Sequence, residues 1–323
     1  MLLHHSLEVS SRQLPDKTAL VCDGQRYSYA QIDQMATELA AFLQLRGVRR
    51  GERVAIFMDN TVETVVSIYA ALKAGAVFMP VNPLTKQDKL AYLLNDSRAS
   101  ALLTHAALHE AFAGALAHNR SVHTCVVTGE LRAALTDERL VPYARVREAA
   151  GALVDPGSID QDLAAIIYTS GSTGDPKGVM LPHLNMVSAA NSVSTYLGLR
   201  REDVVLCVLP LAFDYGLYQV LMGCKLGATV VVERSFAFPV KVLEVMARER
   251  VTVLPGVPTI FSLLMNIKTL AHHDLGALRM ITNTAAALSE QHIKELRALF
   301  PQALLFSMYG LTECKRVTYL PPE

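Results

Sequence analysis

The stretch Tyr168-Thr-Ser-Gly-Ser-Thr-Gly-Asp-Pro-Lys-Gly-Val-Met180 decides how the rest of the chain is interpreted. It follows Leu163–Tyr168, an apolar run ending in a β-branched pair and an aromatic, which predicts a buried strand. Glycines in the loop let the backbone take positive φ, so that successive N–H groups can point inward at an anion, and Lys177 adds a cation. The loop residues expected to contact phosphate are Thr169, Ser170, Gly171, Ser172, Thr173 and Gly174. The stretch therefore predicts a polyphosphate-binding loop.

Two other interpretations fit this loop less well. A flexible surface loop would not extend directly from a hydrophobic strand, nor end in the unit Pro176-Lys177-Gly178. A Walker A loop needs glycine, four residues and then Gly-Lys-Ser/Thr, whereas here Pro176 precedes the lysine. Phosphate binding by a related but distinct loop is the favoured interpretation.

Six motifs in order along the chain carry a resemblance to a known superfamily. Tyr168–Met180 resembles the signature phosphate loop of the adenylate-forming superfamily, which includes acyl-CoA synthetases, peptide-synthetase adenylation domains and firefly-type luciferases. The other five motifs are Tyr27–Asp33, Leu72–Pro83, Leu209–Gly216, Leu254–Thr259 and Tyr309–Glu313. Because all six occur in the superfamily's order, the resemblance is highly specific and covers essentially the whole chain.

Composition limits the class of protein. The chain has 323 residues, 51% of them hydrophobic, which is typical of a globular protein with a sizeable core. Lys+Arg and Asp+Glu both number 30, so no basic excess indicates nucleic acid and no polybasic run indicates an anionic membrane. The five cysteines are scattered without a Cys-x-x-Cys pair, and no apolar run is long enough to span a bilayer. These features predict a cytoplasmic protein that binds neither nucleic acid nor membrane.

Alternating strands and helices predict the fold class. Apolar periodicity predicts helices such as 30–45 and strands such as 54–58, in a succession of βαβ units typical of a mostly parallel sheet. Residues 129–161 lose this periodicity and gather charge and proline, which indicates a connecting region. We therefore expect an α/β protein with two subdomains, residues 1–160 and residues 161–323, each with a mostly parallel sheet.

The resemblance implies that this chain is the large N-terminal part of a longer enzyme. In relatives, a further catalytic lysine lies near the end of a small C-terminal domain joined by a hinge. This chain stops at Glu323, soon after the motif at 309–313. We expect the small C-terminal domain to be absent, and this chain alone to bind ATP weakly and to adenylate slowly.

The motif Tyr-Gly-Leu-Thr-Glu at 309–313 supplies groups that suit adenine, phosphate and a metal ion. The aromatic face of Tyr309 can stack on adenine, and Glu313 offers the hard oxygen that Mg²⁺ prefers. From the residues alone, a turn with an exposed acid at a strand end is an equal alternative. The resemblance assigns ATP binding to Tyr309, Gly310 and Thr312, and catalysis to Lys177, Thr312 and Glu313, with Mg²⁺ on Glu313.

Ala285 and Ala286 lie in a stretch, 283–288, that is glycine-containing in relatives and flanks adenine and the substrate carboxyl. The resemblance places both alanines in the ATP site, through backbone contacts. Thr284 and Ala285 stand where glycine is expected, and each added Cβ narrows the approach and restricts φ. This departure bears on the adenine geometry and on the size of the substrate.

The resemblance also implies a two-step reaction of an AMP-forming acid–thiol ligase. A substrate carboxylate attacks the α-phosphorus of ATP, which releases pyrophosphate and leaves an acyl-adenylate. The acyl group then passes to a pantetheine thiol, on CoA or on a carrier protein. Carboxylate and triphosphate repel each other, so Mg²⁺, the loop N–H groups and Lys177 are expected to supply positive charge.

The identity of the acid depends on Phe213, Asp214 and Tyr215, the expected substrate-binding residues. An acid in a pocket that receives a carboxylate is unfavourable unless a cation offsets it, and a substrate ammonium would do so. In amino-acid-activating relatives, an Asp after a Phe in this motif has that role. Asp214 could instead cap the helix that begins near Gly216. We therefore slightly favour an amino acid and a carrier protein, with a non-amino acid and CoA as the alternative.

A function from a different class is a nucleotide-binding module without catalysis. The intact phosphate loop and Glu313 oppose that alternative, whereas the missing C-terminal lysine and the departure at 284–285 favour it. A dinucleotide oxidoreductase fits poorly, because no Gly-x-Gly-x-x-Gly opens a βαβ unit.

Overall fold

The computed structural model describes residues 1–130, 137–149, 151–169 and 174–322. Its helices in these ranges are α1 (His5–Gln13), α2 (Tyr29–Leu45), α3 (Val62–Lys73), α4 (Gln87–Asp96), α5 (His109–Ala117), α6 (Ala144–Ala149), α7 (His183–Tyr196), α8 (Asp214–Leu226), α9 (Pro239–Arg248), α10 (Pro258–Met265) and α11 (Glu290–Leu299). None of these described helices combines the length and the apolar character needed to cross a bilayer.

The strands alternate with these helices, which confirms the predicted α/β class. In chain order they are β1 (Thr18–Cys22), β2 (Gln25–Ser28), β3 (Arg53–Phe57), β4 (Val77–Val81), β5 (Ala99–His105), β6 (Thr124–Thr128), β7 (Leu140–Pro142), β8 (Leu163–Thr169), β9 (Lys177–Pro182), β10 (Val204–Cys207), β11 (Thr229–Val232), β12 (Val253–Gly256), β13 (Met280–Asn283), β14 (Leu304–Tyr309) and β15 (Thr318–Leu320).

The strands form two mostly parallel sheets. The first sheet has the order β7-β6-β5-β3-β4-β8-β9, in which β8 and β9 pair antiparallel. The second sheet has the order β15-β14-β13-β12-β10-β11-β1-β2, with antiparallel pairs at both edges. Parallel strands buried on both faces read as continuous apolar runs, which is why they were recognisable in the sequence.

Each half of the chain contributes strands to both sheets. β1 and β2 belong to the second sheet, whereas β8 and β9 belong to the first, so the phosphate loop joins two strands at the first sheet's edge. The division into residues 1–160 and 161–323 stays a prediction. Residues 129–161 are more than the connecting region we predicted, because β7 pairs with β6 and α6 follows it.

One hydrophobic core contains side chains from both sheets. Phe78 of the first sheet and Val230 of the second belong to the same buried cluster. Helices α3 and α8 are buried on nearly every face, as expected of helices that pack against protein on all sides. Burying a large apolar side chain stabilises a fold by roughly 1.5–3 kcal/mol, so this shared core holds the two sheets together.

His183 anchors the N-terminus of the chain beside β9. The residue begins α7 directly after β9 and is only 2% exposed. Its Nδ1 accepts a hydrogen bond from the backbone N–H of Leu3 at 3.1 Å. Burial lowers the pKa of His183 to about 4, with nearby Asp162 opposing the shift. The imidazole is therefore neutral at pH 7.

Acid should destabilise the fold through His183. The folded-state pKa of about 4 lies below the ordinary value of 6.5. Between these pH values the unfolded chain binds a proton that the folded chain does not, so the free energy of unfolding falls by about 2–3 kcal/mol as the pH is lowered. In His183→Asn, which keeps an acceptor near the Nδ1 position, this part of the pH dependence is expected to disappear. Denaturant unfolding across that pH range measures it.

The exposed His118 provides the matched control. His118→Asn should leave the pH dependence as in the wild type. If the free energy of unfolding of His183→Asn fell as steeply with decreasing pH as that of the wild type, this pH dependence could not be assigned to His183.

Candidate active site

The predicted motif at 309–313 forms part of a tight turn between β14 and β15, which we call the 309–316 turn. The backbone N–H of Val317 donates to the carbonyl of Tyr309 at 2.8 Å, and that of Lys315 donates to the carbonyl of Leu311 at 2.7 Å. Lys315 has a φ of 60°, in the left-handed region. A Cβ at Gly310 would lie 1.6 Å from the carbonyl oxygen of Lys315. The turn therefore has no room for a side chain at position 310.

A cavity of about 590 Å³ brings the predicted adenine residues together. Ala285 and Ala286, from the loop after β13, line it with Tyr309 and Gly310. Tyr309 is 59% exposed, so a face of its ring is available for stacking. Ala285 has a φ of 73°, a conformation that favours glycine and costs another residue about 1–2 kcal/mol. The backbone thus keeps the geometry of the glycine expected there.

A second cavity, of about 620 Å³, brings two of the predicted phosphate-binding residues together. Thr169 at the end of β8 and Thr312 of the 309–316 turn both line it, with the exposed Phe213. Gly174 has a φ of 112°, the positive φ that the sequence predicts there, and the exposed Lys177 begins β9 without lining this cavity. The predicted loop residues that lie outside the described ranges are Ser170, Gly171, Ser172 and Thr173.

Helix α4 holds both ends of the phosphate loop. The hydroxyl of Tyr92 donates to the carbonyl of Pro176 at 3.3 Å, beyond the loop. The hydroxyl of Tyr168, before the loop, donates to the carboxylate of Asp96. Burial, reinforced by that carboxylate, raises the pKa of Tyr168 well above its ordinary value, so the phenol stays protonated. Sequence reasoning missed this role of α4; the only signal was an i, i+4 spacing of Tyr92 and Asp96 on one helix face.

Asp214 forms an ion pair within the chain. It is the first residue of α8, Phe213 occupies the N-cap position, and no side-chain cap bond forms there. The capping alternative for Asp214 is therefore wrong. Its Oδ2 lies 3.2 Å from Nη1 of Arg316, and the two side chains are only 17% and 7% exposed. The buried carboxylate is thus offset by a cation from the 309–316 turn, which sequence reasoning did not identify.

Two tyrosines pack against cations of the 309–316 turn. The guanidinium of Arg316 lies 4.8 Å from the ring centroid of Tyr215, and Nζ of Lys315 lies 5.4 Å from that of Tyr218. The hydroxyl of the buried Tyr215 shares a hydrogen bond with the hydroxyl of Thr282, 2.7 Å away. Burial lowers the pKa of Lys315 to about 8, although Asp214 opposes the shift. We call Asp214, Lys315 and Arg316 the charged triad; it holds one carboxylate and two cations.

Glu313 is placed where a hard cation could bind. Its side chain is exposed on the same turn as Thr312, and it lines a third cavity, of about 480 Å³, beside α7. A carboxylate oxygen is a ligand that Mg²⁺ prefers, so Glu313 fits that ion by residue type, although it lines a different cavity from Thr312. A separate cluster of His4, His5 and Glu8 has metal-ligand types within 4.8 Å of one another. There, Nζ of Lys73 lies 2.9 Å from the Glu8 carboxylate and supplies its cation.

Comparison with known proteins places the chain in a family. The profile of a family described as AMP-binding enzyme matches residues 7–323. The chain is 33% identical over 307 residues to 4-coumarate–CoA ligase 5 of Oryza sativa subsp. japonica, covering 92% of this chain and 55% of that protein. It is 33% identical over 308 residues to tyrocidine synthase 3 of Brevibacillus parabrevis, covering 95% of this chain and 4% of that protein.

A solved structure agrees with the fold along the whole chain. The complex structure of VinN with L-aspartate superposes with a TM-score of 0.85 at 31% identity, over 100% of this chain and 79% of that chain. A second complex of VinN contains 3-methylaspartate. The chain therefore belongs to the AMP-binding enzyme family, within the adenylate-forming superfamily. It spans about half the length of the rice ligase and a small part of the tyrocidine synthase.

Gly310→Ala should disrupt both the turn and nucleotide binding. The added Cβ meets a backbone carbonyl, which cannot rotate away, so the 309–316 turn must open. We expect a loss of about 2–3 kcal/mol in the free energy of unfolding and at least a tenfold loss of ATP affinity. Denaturant unfolding and calorimetric ATP titration measure the two effects.

Gly151→Ala is the control, because a Cβ at position 151 would have no atom of the described residues within 4 Å. It should leave stability and ATP affinity close to wild type. Wild-type ATP affinity in Gly310→Ala would show that the turn does not shape the nucleotide site.

Proposed function

We propose that the chain is the nucleotide- and acid-binding part of an enzyme that adenylates a carboxylic acid and passes the acyl group to a pantetheine thiol. The observation that carries the proposal is the 309–316 turn. Its residues line the cavity with Ala285 and Ala286 and the cavity with Thr169, and its Arg316 pairs with Asp214. Membership of the AMP-binding enzyme family supports the same activity.

The proposed first step joins the acid to AMP. A carboxylate oxygen attacks the α-phosphorus of ATP, the bond from that phosphorus to the oxygen bridging to the β-phosphate breaks, and its electron pair leaves with pyrophosphate. In the second step a thiolate attacks the acyl carbon, and AMP leaves with the electron pair of the mixed-anhydride bond. The thiol proton passes to solvent or to a base, so both steps balance.

Residues of this chain would bind and orient the reactants. The phosphate loop, from Thr169 to Lys177, would donate N–H and hydroxyl groups to the triphosphate, with Lys177 and Thr312 beside the transferred group. Tyr309 would stack on adenine, with Ala285 and Ala286 along its edge. Glu313 would hold Mg²⁺, which when bound neutralises charge on the phosphates.

The charged triad favours an amino acid with a second carboxylate. A simple ammonium on Asp214 would compete with Arg316 and leave that buried guanidinium without its carboxylate, which is costly. A ligand that brings both an ammonium and a carboxylate gives new partners to Asp214, Arg316 and Lys315 at no change in net charge. The VinN complexes with L-aspartate and 3-methylaspartate support this substrate class. We propose a carrier-protein thiol as the acceptor.

The second candidate is ligation of a non-amino acid to CoA. It is favoured by the Asp214–Arg316 pair, because a carboxylate already offset within the chain does not require a substrate cation. The likeness to 4-coumarate–CoA ligase 5 supports it as well. For either candidate we propose a cytoplasmic location, which the five free thiols support.

Exchange of labelled pyrophosphate into ATP, measured in the full-length protein, tests the function. The acids compared would be L-aspartate, 3-methylaspartate, L-alanine, 4-coumarate and a fatty acid. We expect exchange with the acidic amino acids, and about a ten- to hundredfold rise in their KM in Asp214→Asn and in Arg316→Gln, because each variant loses a charge-assisted hydrogen bond.

Asp203→Asn is the matched control. Asp203 is also buried and paired with an arginine, Arg279, but it is not part of the charged triad. Its variant should lose stability and keep the wild-type KM. Exchange only with acids that lack an amine would support the CoA ligase. ATP binding without exchange for any acid would support a non-catalytic nucleotide-binding module.

A further inference from the structure

Asn60 is a buried polar residue that follows a strand of the first sheet and contacts the backbone leading to Asp214. It lies in the loop between β3 and α3 and is only 4% exposed. Burying a carboxamide is unfavourable unless its donors and acceptor find partners. The position of these partners therefore indicates what Asn60 does.

The carboxamide of Asn60 makes three hydrogen bonds, all to the backbone of loops that follow strands of the second sheet. Its Nδ2 donates to the carbonyls of Leu209 at 2.9 Å and Glu233 at 3.1 Å. Its Oδ1 accepts from the N–H of Leu211 at 2.9 Å. Leu209 follows β10 and Glu233 follows β11, both in the second sheet. One side chain from the first sheet thus fixes the ends of two strands in the second.

The segment that Asn60 binds leads directly to Asp214. Residues 209–213 connect β10 to α8, and the N–H of Phe213 donates to the carbonyl of Pro210 at 3.0 Å. This segment also presses on the first turn of α8. A Cβ at Gly216 would lie 2.5 Å from the carbonyl oxygens of both Leu209 and Pro210. Because the packing is this close, a shift of residues 209–213 would also shift the start of α8, where Asp214 lies.

We propose that Asn60 is a positioning residue for the Asp214–Arg316 pair, which we propose binds the substrate acid. It acts through the backbone of Leu209 and Leu211, which holds Asp214 in register with Arg316 of the 309–316 turn. The inference rests on the proposed function of that pair. Because Asn60 also ties the first sheet, which carries the phosphate loop, to the second, it keeps the acid at a fixed distance from the phosphates.

Asn60→Ala tests the role, because the KM for the acid and the KM for ATP should respond differently. The variant removes all three hydrogen bonds, so the 209–213 segment loses its register. In pyrophosphate exchange we expect the KM for the acid to rise about tenfold or more, and the KM for ATP to change less than about twofold. Asn60→Asp keeps the shape and the acceptor but sets a carboxylate against two carbonyls, so its effect should be at least as large.

Asn119→Ala is the matched control. Asn119 is equally buried and uses its side chain in the same way, donating to Asn95 and accepting from the N–H groups of Ser121 and Val122. It should lower stability without moving either KM. If the two KM values rose together in Asn60→Ala, or if Asn119→Ala gave the same split, the positioning role would be overturned.

Hydrogen exchange gives a readout that is independent of activity. In wild type, the amide of Leu211 donates to Asn60 and should be protected. Asn60→Ala should accelerate exchange across residues 209–216 by about tenfold or more, and Asn119→Ala should not. If hydrogen exchange in residues 209–216 were unchanged in Asn60→Ala, the positioning role would be overturned. Failure of the wild-type protein to adenylate any of the acids tested would count against the proposed function, and it would leave this exchange test valid.

Discussion

The fit of Gly310 against the carbonyl of Lys315 is the constraint on which the candidate site depends. With no space for a side chain, the 309–316 turn closes tightly, and Lys315 takes a left-handed conformation. That closure directs Tyr309 toward one cavity, Thr312 toward another, and Arg316 back onto Asp214. One short turn therefore sets the distances between the two cavities and the Asp214–Arg316 pair.

The 309–316 turn lies where strands from both sheets end at their carboxyl termini. Thr169 ends β8, Asn283 ends β13 and Tyr309 ends β14, so the site lies at the carboxyl ends of strands, where ligands of open α/β sheets bind. The two sheets share a core, and backbone crosses between them in both directions along the chain. A site built from both sheets is rigid only if their strand ends are tied together, and Asn60 provides such a tie.

Sequence alone predicted the parts of the site that are local. Tyr309, Thr312, Ala285 and the phosphate loop were recognisable because each lies in a short motif next to an apolar strand. The φ of 73° at Ala285 agrees with a position where glycine was expected, although the side chain is not glycine's. Strand β9, which begins at Lys177, was missed because its residues are mostly exposed, which hides the apolar pattern of a strand.

The residues that sequence reasoning missed act through contacts between distant parts of the chain. Arg316 lies outside the motifs that we identified, and the fold brings it next to Asp214. No rule of sequence spacing links those two positions. Asn60 resembled an ordinary loop residue, because its partners are backbone groups on the other sheet. Such roles depend on tertiary packing, so they follow from the structure and not from local pattern.

The most direct test of the account is a crystal structure with a non-hydrolysable aspartyl-adenylate analogue, an aminoacyl sulfamate. We predict adenine in the cavity between Tyr309 and Ala285–Ala287, the sulfamate beside Thr312, and the ligand ammonium within hydrogen-bond distance of Asp214. Adenine bound elsewhere, for instance in the larger cavity lined by Lys86, His105 and Glu130, would contradict the claim that the 309–316 turn organises the site.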